Sequence, residues 1–140
     1  MRTENQILTD IYKIVKASTI NDLDGGIYKQ TRPTDSQLQD CLISLITGGT
    51  HKFLQSSALY VKIFYKDLFY NNTYSQDFVT AGQMQTLLFD LSETLLKTNG
   101  YSFDIQSRDI HSEQVQTSRG VEGENKEHYM VLIINFQNTL

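Results

Sequence analysis

Hydrophobic positions along the chain change their period several times, and each change predicts an element. In residues 4–18, ENQILTDIYKIVKAS, the positions Ile7, Leu8, Ile11, Ile14 and Val15 recur at helical spacing. Glu4 lies near the positive end of that helix's dipole, and Lys13 and Lys16 near its negative end. Residues 21–26 break the pattern with Asn, Asp and two glycines, after which Ile27-Tyr28 reads as a very short strand ended by Pro33. A second helix is expected over about 35–47. Ser36 and Gln39 have capping-box spacing, and Leu38, Cys41, Leu42, Leu45 and Ile46 share a stripe that Gly48-Gly49 ends.

The period then drops to two. In ALYVKIF, residues 58–64, Leu59, Val61 and Ile63 point one way and Tyr60, Lys62 and Phe64 the other, which predicts a strand covered at least partly on both faces. Lys62 fits there because its stem can lie along apolar surface. The aromatic stretch YKDLFYNNTYSQDF, residues 65–78, reads as a loop: its Asn and Asp residues resist helix, and its Phe and Tyr residues resist full exposure. A third helix is predicted from a capping box at Thr80 and Gln83, a stripe of Leu87, Leu88, Leu91, Leu95 and Leu96, and a stop at Asn99-Gly100. Tyr101, Phe103 and Ile105 alternate with polar residues as a half-buried strand. Residues 107–127 show no periodicity and read as a long loop, and HYMVLIINF (128–136) is apolar on both faces and reads as a central strand. These elements predict an α+β fold, with three helices packed on a small mixed β-sheet and a long loop before the C-terminal strand, in a single domain over residues 1–140.

Composition narrows the function. A chain of 140 residues buries roughly 70% of its unfolded surface without a disulfide or structural metal. Net charge is −4 and basic residues form no block, which disfavours specific nucleic-acid binding, where phosphate contacts supply most of the affinity. No apolar run reaches the roughly 20 residues that span a bilayer, and MRTENQILTD carries charge where a secretory signal needs an apolar core, so neither membrane nor export is expected. The one cysteine, Cys41, sits on an apolar stripe and reads as an inert thiol of a reducing compartment.

Candidate chemistry is thin. Asp22 and Asp24 before Gly25-Gly26 resemble the start of a calcium loop, but counting from Asp22 puts Gly26 at position 5 and Pro33 at position 12, where carboxylates are required. A turn explains the stretch better. His51, His111 and His128 have no ligand partner at helical spacing, GGTHKFLQSS lacks the Gly-Lys of a phosphate loop, and no nucleophile elbow occurs. The acidic run Glu122, Glu124 and Glu127 reads as a solvated loop face. No catalytic residue, metal or cofactor is expected, and the chain is not expected to be an enzyme.

What stands out is more apolar β-structure than three modest helices can cover, which predicts that a second copy covers the rest. Three patches carry a resemblance. GGIYKQTRPTDSQLQDCLIS (25–44) is similar to a Gly-x-Ile-Tyr-Lys-x-x-Arg-Pro-x-x-Ser-x-x-Glu-Asp-x-x-Ile pattern, with Gln39 standing where that pattern has Glu. ALYVKIFYKD (58–67) and KEHYMVLIINF (126–136) match in the same way. With these patches and its element order, the chain resembles tail-terminator (tail-completion, head–tail neck) proteins of tailed phages and prophages of gut Bacteroidales bacteria. The resemblance implies a structural virion protein, assembled in the bacterial cytoplasm. It would form a homo-oligomeric ring at the head–tail junction or tail end and meet portal, adaptor or tail-tube proteins. Ile27, Tyr28, Arg32, Phe69 and Tyr70 are the expected contact residues. The competing expectation is a small monomeric cytoplasmic binding or adaptor module without catalytic activity.

Overall fold

A computed structural model of the chain describes residues 4–51, 54–97, 104–115 and 126–139. Helix α1 spans Glu4–Lys16 and is followed by a 3₁₀ turn, Thr19–Asp22, whose start is capped by the Ser18 hydroxyl accepting from the Ile20 amide. Five strands build one mixed sheet: β1 (Ile27–Lys29), β2 (Cys41–His51), β3 (Leu54–Lys66), β6 (Asp104–Gln114) and β7 (Glu127–Thr139), in the order β1-β2-β3-β7-β6. Only the β1–β2 pair is parallel. Between β3 and helix α2 (Phe78–Lys97) a separate hairpin of β4 (Leu68–Tyr70) and β5 (Thr73–Ser75) leaves the sheet.

The α+β class holds, but the three-helix expectation does not, because residues 41–51 are strand rather than the heart of a helix. The stripe of Cys41, Leu42 and Leu45 fits both periods. Cys41 and Ile43 enter the core, whereas Leu42 and Ser44 face the opposite side and are also buried, as a strand covered on both faces requires. Ser36 is no helix cap either: its hydroxyl donates to the Asp40 carboxylate. The loop expected over 107–127 is also shortened, since β6 runs to Gln114 and pairs along β7 from Asp104↔Gln137 to Gln114↔His128. The 65–78 segment is a hairpin, turned through Asn71 (φ 51°) and Asn72 (φ 58°).

Helix α2 begins two residues before the predicted capping box. Asp77 accepts from the Thr80 amide at 3.1 Å and from the Thr80 hydroxyl at 2.7 Å, so an aspartate caps the helix and Thr80 is the third helical residue. The expected Asn99-Gly100 stop, the Tyr101 and Phe103 positions and residues 116–125 lie outside the described residues.

Both helices pack on one face of the sheet. Ile7, Leu8, Ile11 and Val15 of α1 join Met84, Leu88, Leu91 and Leu95 of α2 over Ile43, Val61, Ile63, Leu132 and Ile134 in a single core. Each such side chain, fully buried, contributes about 1.5–3 kcal/mol. Arg108 of β6 clips α2 to the sheet edge through Glu93 (2.6 Å) and Ser92 (3.1 Å).

Candidate functional site

The opposite face of the sheet has no helix among the described residues. Register sorts it into rows: Phe64, Tyr129 and Glu113 at one end, then Tyr28, Leu42, Lys62, Val131 and His111, then Ser44, Tyr60, Ile133 and Asp109. Long side chains do part of the covering. The Lys62 ammonium lies 4.4 Å from the ring centroids of both Tyr60 and Tyr129, a cation–π arrangement that shields Leu42 and Val131. The Tyr129 hydroxyl donates to Glu113. Burial and that carboxylate push the Tyr129 pKa up to about 12. Tyr28, Tyr60, Tyr129 and Ile133 remain half-exposed.

One end of this face is closed by the crossover 30–40 that the parallel β1–β2 pair demands. The chain leaves β1 through Gln30 (φ 71°), whose side-chain oxygen accepts from Ser44 at 2.7 Å. Arg32 then stacks its guanidinium 3.8 Å from the centroid of Phe64. Its Nε donates to Asp40 at 2.9 Å, and its two terminal nitrogens form a fork on Glu127 at 2.9 and 3.0 Å. The Asp40 carboxylate, fully buried, also accepts from the Gly26 amide at 3.0 Å and from Ser36. Burial alone would raise the Asp40 carboxyl, but Ser36, Arg32 and the Gly26 amide outweigh it and hold its pKa below the ordinary value.

Gly25 is needed beside this lock, because a Cβ there would come within 2.5 Å of the Asp40 amide nitrogen and Oδ1. Asp24 accepts from the Gln39 amide at 2.8 Å. The NDLDGG stretch therefore fastens the crossover from below.

The lock sits at the foot of the β4–β5 hairpin. Lys66 is the register partner of Glu127, and the Asp67 amide donates to the Lys126 carbonyl at 2.8 Å. Asp67, 2% exposed, pairs with Nδ1 of His128, and the His128 ring stacks on Tyr65. A cleft of about 320 Å³ opens here, lined by Ser36, Gln37, Lys66, Asp67, Tyr74 and Lys126 among others. Beyond it the hairpin projects: Phe69 and Tyr74 stack at 4.8 Å, Phe69 is 59% exposed and Tyr70 74% exposed. Leu68, Phe78 and Val79 are exposed as well, so one continuous segment, 68–79, holds most of the exposed large apolar side chains among the described residues.

The five residues picked from the sequence separate accordingly. Ile27 packs against the core edge, Tyr28 lies half-buried on the open face, and Arg32 is engaged in the lock with a 12% exposed side chain. Phe69 and Tyr70 are exposed on the hairpin, Phe69 packed against Tyr74. Missed were Asp40, Asp67 and the exposed pair Phe78-Val79. Glu127, read as part of a solvated acidic run, is the lock's second carboxylate. The Asn-Asn pair between two short tyrosine-containing triplets, 68–70 and 73–75, was the one available signal for the hairpin.

Cys41 is buried, and burial together with the neighbouring Asp40 pushes its thiol up to about 12. No protein-family model matches the chain, and no curated protein matches it.

Proposed function

We propose that this chain is a structural assembly protein of a tailed-phage virion, a homo-oligomeric ring former at the head–tail junction or tail end that meets portal, adaptor or tail-tube proteins. One observation carries the reading: apolar side chains of residues 68–79 stand in solvent on a hairpin and helix start, outside a core that is already closed. Isolated two-stranded hairpins are marginal in water, and exposed aromatic clusters mark contact surfaces. The sequence patches that carry the phage resemblance fall on the crossover and its lock (25–44), on the strand that launches the hairpin (58–67) and on that strand's sheet partner (126–136), so the resemblance and the exposed segment meet at one end of the molecule.

The monomeric binding-module reading has its own support, since two helices and five strands close one core within a single copy. Light scattering with negative-stain microscopy across a wide concentration range separates the two. A closed ring of single stoichiometry is the expected result. A species that stays monomeric at every concentration overturns self-assembly and favours the adaptor.

A further inference from the structure

Two surfaces lack an apolar cover among the described residues, and they differ in kind. The first is the hairpin: residues 68–76, LFYNNTYSQ, contain no formal charge, while exposed Lys66 and Lys126 stand at its foot, the latter 5.2 Å from the Tyr74 ring centroid. The second is the open sheet face, where half-exposed Tyr60, Tyr129 and Ile133 surround Lys62. That face is bounded on its β6 side by exposed acids, Asp109 (65%) and Glu113 (51%). An uncharged aromatic projection with a basic foot and an aromatic platform with an acidic border are complementary in both polarity and charge.

We infer that the β4–β5 hairpin of one copy seats on the open sheet face of a second copy, with Lys66 and Lys126 of the first against Asp109 and Glu113 of the second. The inference rests on the self-assembly reading above and specifies its contact. Because hairpin and face are different patches, the contact is heterologous: each copy offers one of each, so the contact repeats and closes a ring where the rotation allows. Lys62 supplies the specific chemistry, since its ammonium already lies against two rings and offers a third aromatic group, Phe69 or Tyr70, a cation–π partner on entry. The acids lie outside the core, so the charges steer and select while the aromatic groups hold.

Charge reversal tests this. K66E/K126E and D109K/E113K alter exposed side chains, and circular dichroism should show both variants folded. Each alone should self-associate about tenfold or more weaker than the parent, because like charges meet across every contact. An equimolar mixture should regain assembly, since the reversed foot of the first variant then faces the reversed border of the second, and a parental foot faces a parental border. Regained assembly of the mixture, with both single variants dispersed, supports the contact. If both variants assemble as the parent does, or if the mixture stays dispersed while the parent forms rings, the contact is wrong and self-assembly stands. If the parent itself never associates, both ideas fall together.

Discussion

Two segments leave the sheet at the same end and treat their side chains in opposite ways. The crossover 30–40 is rich in polar groups and turns them inward: Arg32, Ser36 and Asp40 bind one another, Glu127 and the Gly26 amide, leaving Arg32 with only 12% of its side chain in solvent. The hairpin 68–75 is rich in apolar groups and turns them outward, with Tyr70 at 74% exposure. A buried polar loop needs every group satisfied and becomes part of the scaffold. An exposed apolar hairpin buries little of its aromatic surface within the monomer beyond the Phe69–Tyr74 pair, so its sequence is best explained by a contact outside it. Polarity alone would have reversed these assignments.

The sharpest way to break this contrast is to remove one residue from each segment. Arg32→Ala strands the fully buried Asp40 opposite Glu127, and breaking a buried charge network costs about 3–5 kcal/mol. Urea unfolding should show that loss. Tyr70→Ser should shift the midpoint by less than about 0.5 kcal/mol while weakening self-association. If the two variants unfold alike, the crossover is no lock.

Gly25→Ala should rank next. The added methyl meets the Asp40 amide nitrogen and carboxylate within 2.5 Å, and since backbone must move, the expected cost is roughly 1–3 kcal/mol. A substitution at Gly82 of α2, where a Cβ meets nothing within 4 Å, serves as the control.

The lock also predicts an acid limb. The folded Asp40 carboxyl lies below its unfolded value, so the stability it contributes is present above the unfolded pKa of about 3.9 and is lost as pH falls through the folded one. Arg32 is displaced upward by Glu127 and Asp40, against the opposing effect of burial, and its contribution changes only in strong alkali. Stability should therefore fall on the acid side of that window, stay flat up to about pH 8, and fall again above it, where the unfolded chain ionises Cys41, Tyr65 and Tyr129 before the folded one does. Asp40→Asn should lower the plateau and make the acid fall shallower. Asp77 and Glu113, also held low by hydrogen bonds, keep part of the slope.

Legibility in the sequence followed the number of faces each element buries. Helix α1 and strand β3 were readable because their patterns admit one period: Ile7, Leu8, Ile11 and Val15 cannot all share a strand face, and Leu59, Val61 and Ile63 cannot all share a helical one. Residues 41–45 were misread because burial on both faces gives a continuous apolar run that either period fits, and only the partner strands decide. The candidate site was half visible. Phe69 and Tyr70 could be picked as contact residues from composition, but Asp40 and Glu127 lie far apart along the chain, and Arg32, chosen as a surface contact, is what brings them together. A long-range ion pair leaves no local periodicity.

The smallest effect concerns the hairpin's turn and sharpens the comparison from its other side. Asn71 and Asn72 both hold positive φ, 51° and 58°, the two-residue turn in which glycine is preferred at the second position. Asn72→Gly should stabilise the hairpin locally by about 0.5 kcal/mol, whereas Asn72→Val places a β-branched side chain in the left-handed region at a cost of about 1–2 kcal/mol. Because, among the described residues, β4 and β5 pair only with each other, neither change should move global unfolding; the readout is amide exchange in residues 68–75. The crossover is tied to the core, and strain there would spread to it. The hairpin is not, and strain there should melt the hairpin alone. The valine variant would then be a folded protein lacking the projecting arm, and its failure to associate would assign assembly to the hairpin without altering a single aromatic residue.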